Sequence, residues 1–238
     1  MILPILNHGA RELGIELSDH QFDQFEKYYH LLFEWNKKFN LTAVTDYSEV
    51  QRVHFLDSLS LIRAGIVPDG LRIIDVGAGA GFPGLPLKIA FPQLKLTLLE
   101  ATGKKAVFLS ETVAALDLDG VTVLNARAED AARQPEHREQ YELVVSRAVA
   151  SLDTLGELCL SFCRVGGTFI AYKKGDIGNE VDGALKAIET LGGRLRFIQD
   201  IALTDLPDSR KLVVIDKIRH TSPEYPRRSG LPAKKPIS

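Results

Sequence analysis

The chemistry of this chain concentrates in Arg72-Ile73-Ile74-Asp75-Val76-Gly77-Ala78-Gly79-Ala80-Gly81-Phe82-Pro83-Gly84. A β-branched run ends in an acid and opens into a loop with glycine at alternate positions. With no Cβ in the way, such a loop lets a ligand come close to the backbone. Placed after a strand and before a helix, it stands at the carboxyl end of a sheet, where α/β folds bind cofactors. The dinucleotide fingerprint Gly-x-Gly-x-x-Gly is one candidate. From Gly77 it fails, because the sixth position is Phe82. From Gly79 it fits through Gly81 and Gly84, but starts two residues late.

The competing pattern is the acid-x-Gly-x-Gly-x-Gly loop that binds S-adenosylmethionine (AdoMet). Asp75, Gly77, Gly79 and Gly81 fit it in register with the strand end. Glu100 closes the next apolar run, Lys95-Leu-Thr-Leu-Leu-Glu100, where an acid can hold a ribose diol. NAD and AdoMet both carry that diol, so Glu100 does not choose between them. A glycine-rich turn with no ligand is the third reading.

These residues need a frame, and the frame favours AdoMet. Strands are expected near 71–76, 95–99, 121–125, 142–146, 167–172, 195–203 and 212–217. Helices fit near 84–91, 103–116, 151–163 and 176–191. Such alternation argues for a parallel sheet with helices on both faces. No helix fits between the last two strands, so the sheet should end in an antiparallel hairpin. Seven strands with that ending are the layout of the class I AdoMet-dependent methyltransferase fold, a Rossmann-like α/β architecture. A dehydrogenase would be expected to continue into a second βαβ half. Ahead of the sheet, Phe22, Phe25, Tyr29, Leu32, Phe33 and Trp35 recur at helical spacing and read as the core of a small helical cap. The expected division is a cap over 1–66, an AdoMet-binding core over 67–219 and a basic tail over 220–238.

Composition limits the other possibilities. Of the 238 residues, 45% are hydrophobic, which suits a globular chain with a sizeable core. No apolar run approaches the ~20 residues that span a bilayer, and the first residues turn polar too soon for a signal peptide. Cys159 and Cys163, four apart in an expected helix, suggest reduced thiols and a cytoplasmic setting rather than a disulfide framework. The six histidines show no metal-ligand spacing. Net charge is −2, but it is uneven. From Arg210 to Ser238 eight Lys and Arg face only Asp216 and Glu224. A basic end on an acidic body suggests a polyanion met at one surface, with a merely solvated tail as the plain alternative. Asn40 and Thr42 suit helix or turn capping, and His54 and Asp57 suit a pair across one helical turn.

Motifs along nearly the whole chain resemble the bacterial 16S rRNA (guanine-N7)-methyltransferase family, RsmG, also called glucose-inhibited division protein B. The resemblance rests on Trp35-Asn36-Lys37-Lys38-Phe39-Asn40-Leu41-Thr42, Arg52-Val53-His54-Phe55-Leu56-Asp57-Ser58 and the stretch from Asp75 to Pro86. Lys104-Lys105-Ala106-Val107-Phe108-Leu109, Ala126-Arg127-Ala128-Glu129 and Ser146-Arg147-Ala148-Val149-Ala150-Ser151-Leu152 continue it in order. Ala78 departs from the Ser or Thr of many relatives, and the tail from Tyr225 to Pro236 resembles an ending found in only some of them.

The resemblance implies a substrate, N7 of one guanine in the 530 loop of small-subunit rRNA, presented as naked 16S rRNA or as the 30S subunit. It also implies cofactor roles. Gly77 and Phe82 would line the AdoMet site and Glu100 would take the ribose hydroxyls. Ala128, through its backbone, and Glu129, through its acid, would meet the adenine. Arg147 would be the remaining cofactor-site residue, facing where substrate enters, and would serve catalysis by positioning substrate against cofactor. Guanine N7 has an in-plane lone pair that needs no deprotonation, so alignment and electrostatics suffice and no general base is expected. The Asp/Asn-Pro-Pro-aromatic motif of exocyclic-amine methylation is replaced by Ser146-Arg147-Ala148-Val149, and no Pro-Cys loop offers the nucleophile of cytosine C5 methylation. Arg210, Lys211, Arg227, Arg228, Lys234 and Lys235 are expected on rRNA phosphates, with Lys37, Lys38 and Arg52 extending the surface from the cap. The prolines around Gly230 suggest an extended tail without a packed core. No membrane partner is expected, and a monomer is. A methyltransferase acting on another RNA or a small molecule, and a non-catalytic RNA-binding protein, are the alternatives.

Overall fold

The computed structural model describes residues 3–147 and 150–237, apart from the side chains of Pro207 and Asp208. Ala148 and Val149 of the Ser146–Leu152 motif lie outside the described residues. Helix α1 (Pro4–Glu12) opens with proline in its first turn, where the missing N–H is no loss. Helix α2 (Asp19–Phe39) starts on a capping box between Ser18 and Gln21 and stops at Asn40 in the left-handed region, φ 44°. A continuous helical run follows. It comprises α3 (Tyr47–Val50), a π turn (Gln51–Leu56), α4 (Asp57–Leu59) and a 3₁₀ turn (Ser60–Ala64). The π turn inserts a residue and breaks the 3.6-residue period of this run.

From residue 72 the chain alternates as expected: β1 (Arg72–Val76), α5 (Gly84–Ala90), β2 (Lys95–Leu99), α6 (Gly103–Ala115), β3 (Val121–Leu124), α7 (Ala128–Ala131) and β4 (Tyr141–Arg147). Then come α8 (Leu152–Leu160), β5 (Cys163–Lys174), α9 (Gly178–Thr190), β6 (Gly193–Leu203), β7 (Leu206–Lys217) and α10 (Leu231–Lys234). The sheet order is β3-β2-β1-β4-β5-β7-β6. The first five strands pair in parallel, and β7 pairs antiparallel with both β5 and β6. The closing hairpin is tighter than the sequence suggested, with only Thr204 and Asp205 between strands of 11 and 12 residues. The cysteine reading needs one correction. Cys159 ends in α8 but Cys163 opens β5, because the helix stops at Leu160 and the chain turns into the sheet. Both thiols are free and buried.

The sheet buries both faces. Ile73, Leu143, Ile170 and Val214 face α5, α6 and the N-terminal helices in one apolar cluster. Ile74, Val144, Phe169, Val213 and Ile215 face α8 and α9 in the other. Strand order reverses between β1 and β4, so their carboxyl ends flank the crevice where doubly wound sheets bind ligands. The glycine loop leaves one of these strands and Arg147 ends the other.

Candidate cofactor and substrate site

The loop after β1 is held from below and behind. Asp75 is wholly buried, and its Oδ2 accepts the Gly84 N–H at 2.8 Å. Burial pushes its pKa up to about 7 against the opposing pull of that N–H and of Arg147. Gly77 and Ala78 donate their N–H groups to Leu99 O at 2.9 and 3.0 Å. Gly77, Gly79 and Gly81 have φ of 75°, 59° and 95°, in the region that a Cβ disfavours. At Gly81 a Cβ would also fall 2.7 Å from the Tyr28 hydroxyl. At Gly79 only Gly77 O, at 3.8 Å, lies within 4 Å of that position, so the loop is open on that side.

Glu100 closes β2 and is nearly buried. Its Oε2 accepts the Gly79 N–H at 2.9 Å and its Oε1 the Thr102 N–H at 2.7 Å. The predicted acid therefore organises the glycine loop while each oxygen keeps lone-pair capacity.

The cap supplies the other side of the site. Tyr28 donates to Ala80 O at 2.5 Å and packs near Phe82 at 5.4 Å between centroids. His54, in the π turn, stacks on Phe82 at 4.4 Å and 21°. Arg147 Cζ lies 4.9 Å from the Phe82 ring centre. Its Nη1 donates to Val53 O at 3.0 Å and to Asp57 Oδ2 at 2.9 Å, and its Nη2 lies 3.3 Å from His54 Nδ1. Arg210 approaches the same Asp57 oxygen at 3.6 Å. Burial, helped by Arg147 and Arg210, pushes the His54 pKa down to about 3. Leu41, Thr42 and His54 line a cavity of about 400 Å³ with Gly77–Ala80, Phe82, Glu100, Lys105 and Arg147.

The structure thus brings together Asp75, Gly77, Gly79, Gly81, Phe82, Glu100 and Arg147. Thr42, His54, Asp57 and Tyr28 join them without having been singled out for the site. Their signal was present, since Thr42 and the His54–Asp57 segment lie in two of the resemblance motifs. In isolation they read as caps and local pairs. His54 and Asp57 do meet, but through Arg147. Ala128 and Glu129 open α7 after β3, and Glu129 Oε1 accepts the Gly230 N–H at 2.7 Å.

That last contact corrects the expectation of a tail without packing. Arg227 grips the buried Glu157 of α8 through Nε, at 2.9 and 3.0 Å, and Nη2, at 2.6 Å. Arg138 Nη1 donates to Tyr225 O and its Nη2 to Thr221 O, each at 2.9 Å, while Pro232 is buried. The tail is docked because its polar backbone finds partners on α7 and α8, which charge counting cannot see. Arg228, Lys234 and Lys235 remain exposed. On the cap, Lys37 pairs with Glu34 at 2.7 Å, Arg52 with Glu49 at 3.1 Å, and Lys38 is exposed. Lys211 pairs with Asp200.

A seven-stranded sheet of this order, with an acid-tipped glycine loop at the β1 end and an acid at the β2 end, is the class I methyltransferase fold. Among solved structures it is similar to the cyclase SpnF, with a TM-score of 0.53, 13% identity, and coverage of 68% of this chain and 81% of that one. It is also similar to M. jannaschii TYW2 in complex with AdoMet, with a TM-score of 0.50, 15% identity, and coverage of 67% and 74%. Sequence narrows the class. The family model GidB, rRNA small subunit methyltransferase G, matches residues 21–210, and the chain belongs to that family. Relatives carrying the name ribosomal RNA small subunit methyltransferase G include that of Dehalococcoides mccartyi strain CBDB1, 53% identical over 98% of both chains. That of Lachnoclostridium phytofermentans is 46% identical over 96% of this chain and 95% of its own.

Proposed function

We propose that this protein transfers the methyl group of AdoMet to N7 of a guanine in the 530 loop of 16S rRNA in the small ribosomal subunit. The observation that carries the reading is the shared cavity. An open glycine loop and Glu100 border the same space as His54, Phe82 and Arg147, in a chain of the small-subunit rRNA methyltransferase family. The residues suit AdoMet. Gly79 leaves room against the loop, and Glu100 has lone pairs for a ribose diol. Gly77, Gly79, Gly81, Phe82 and Glu100 would hold it, with Asp75 bracing the loop and Ala128 and Glu129 at the adenine. When bound, AdoMet supplies a methyl group on a sulfonium, already electrophilic.

The protein's work is then alignment. N7 needs no proton removed, and with its pKa near 3 His54 is a poor base at neutral pH. Arg147 latches the end of β4 to the π turn and faces the Phe82 ring, which fixes the wall where a base would enter. The exposed Arg228, Lys234, Lys235 and Lys38, with Arg52, Lys37, Arg210, Lys211 and Arg227, form the proposed rRNA-facing cations, of which Arg227 is the most committed to an internal partner. Labelled methyl transfer from AdoMet to 30S subunits lacking the modification, with the nucleoside identified by mass spectrometry, should give 7-methylguanosine. No transfer, or a different methylated nucleoside, would overturn the reading. Glu100→Ala should weaken AdoMet in titration calorimetry by about 1.5–3 kcal/mol for each charge-assisted bond lost. Binding of NAD with no AdoMet binding would sink the cofactor assignment.

A further inference from the structure

Three hydrogen-bonding groups meet where the cap borders the cavity: the Arg147 guanidinium, the His54 imidazole and the Thr42 hydroxyl. A guanidinium only donates, so Arg147 Nη2, 3.3 Å from His54 Nδ1, calls for a lone pair there. Val53 O also lies 3.1 Å from Nδ1. That carbonyl takes the Arg147 Nη1 proton at 3.0 Å and has a second lone pair to spare, but a proton on Nδ1 would sit against a positive guanidinium. Repulsion from the guanidinium therefore favours the tautomer with its proton on Nε2, which donates to Thr42 Oγ1 at 2.8 Å. Val44 N–H donates to the same oxygen at 3.1 Å. In that tautomer both lone pairs of Thr42 Oγ1 are taken, and its own O–H is left to donate into the cavity. Protonation would add a proton at Nδ1 and leave Nε2–H donating, so this polarity does not depend on the charge of the ring.

We infer that the Thr42 hydroxyl donates to the O6 carbonyl of the target guanine and so selects guanine over adenine. The inference rests on the guanine-N7 reading above and adds the residue that enforces it. N7 and O6 are adjacent acceptors on the outer edge of guanine, whereas adenine sets an N6 amino donor beside N7. A fixed O–H donor satisfies O6 and opposes the amino group, leaving two donors face to face. Sites that hydrogen-bond a substrate polar group discriminate strongly, because the wrong partner leaves buried groups unpaired. Thr42 lines the same cavity as the glycine loop and Glu100, so the donor and the proposed cofactor cradle share one space. The His54–Arg147 chain sets which way the donor points, so those two are positioning residues for this contact.

The test uses 30S subunits whose target guanosine is retained or replaced by inosine, which keeps O6, or by 2-aminopurine, which lacks it. Wild-type enzyme should accept inosine and lose about tenfold or more in kcat/KM on 2-aminopurine. Thr42→Val should lose a similar factor on guanosine, add little further loss on 2-aminopurine, and keep wild-type affinity for AdoMet in calorimetry. Thr42→Ser should restore transfer. Equal losses for Thr42→Val on guanosine and 2-aminopurine, or failure of Thr42→Ser to rescue, would overturn the inference. Should Thr42→Val not fold, wild-type enzyme alone decides, because equal rates on inosine and 2-aminopurine overturn it. If wild-type enzyme methylates no guanine N7, the functional reading falls as well. If it does and Thr42→Val matches it, only the role of Thr42 falls.

Discussion

At the scale of single residues, Asp57 and Asp75 are both buried acids with opposite circumstances. Asp57 is 4% exposed and holds Arg147 at 2.9 Å and Arg210 at 3.6 Å. Asp57→Asn would leave two guanidinium groups facing a neutral amide. Removing one partner of a buried ion pair costs about 3–5 kcal/mol, so urea unfolding should show a loss of that order. Arg147→Ala leaves Asp57 its second cation and should cost less stability, while methyl transfer falls more than tenfold as the π turn loses its latch. Equal proportional losses in both measurements would make Arg147 structural only. Asp75 instead has one oxygen on Gly84 N–H and the other without a hydrogen-bond partner among the described residues. Its folded pKa, raised to about 7 from 3.8, means the folded state holds a proton that the unfolded state releases. Such an acid favours folding below the unfolded value, and its contribution is lost as pH rises through the folded one. Thermal stability should therefore carry a falling component between pH 4 and 7. Asp75→Asn, which keeps an acceptor for Gly84, should flatten it, and an unchanged profile would mean that the carboxyl stays ionised.

At the scale of elements, the π turn is the piece that sequence reading could not supply. Strands β1 to β4 were legible because short apolar runs stop at a polar residue or a glycine at their carboxyl ends. The pairing of His54, Asp57 and Arg147 was not, because the partners lie about 90 positions apart and meet only when the turn widens. The same limit hid Arg227, whose charge suggested phosphate and whose geometry is set by Glu157. The π turn also completes α1, whose N-terminus has no side-chain cap of its own. Gln51 Oε1 accepts the N–H groups of Ile5 at 3.1 Å and Leu6 at 3.3 Å, two of the donors a helix start leaves open. Gln51→Leu should destabilise the protein by about 1–3 kcal/mol for a buried donor left unsatisfied, read as a shift in the urea midpoint. Hydrogen exchange should speed at Ile5 and Leu6 but not in β1. A variant as stable as wild type would show that water replaces the side chain there.

At the scale of the whole molecule, charge and topology together divide the proposed rRNA surface. Lys37, Lys38 and Arg52 belong to the cap, which packs on the α5–α6 face of the sheet. Tyr225 and Ile237 of the tail pack on the α8–α9 face, so Arg228, Lys234 and Lys235 belong to the opposite side. An RNA that touches both groups has to pass an edge or an end of the sheet, and the rim where the cavity opens between β1 and β4 is one such route. Phosphate contacts add affinity without reading sequence, and each contact releases counterions, steepening the dependence of binding on salt. The internal bonds of Arg227 and Lys217 make truncation a poor probe, because cutting at Lys217 strips Thr221 from a buried lysine and uncovers α8. Changing Arg228, Lys234 and Lys235 to glutamine leaves that docking intact. If all three meet phosphates, the slope of log affinity against log salt for 30S binding should flatten by about 2, at roughly 0.7 per contact on a single strand. AdoMet affinity should not change. The matching cap variant, Lys37→Gln with Lys38→Gln, should flatten the slope by about 1.4 on the same scale. A tail variant with the wild-type slope beside a cap variant with a flattened one would confine the rRNA to the cap side of the rim.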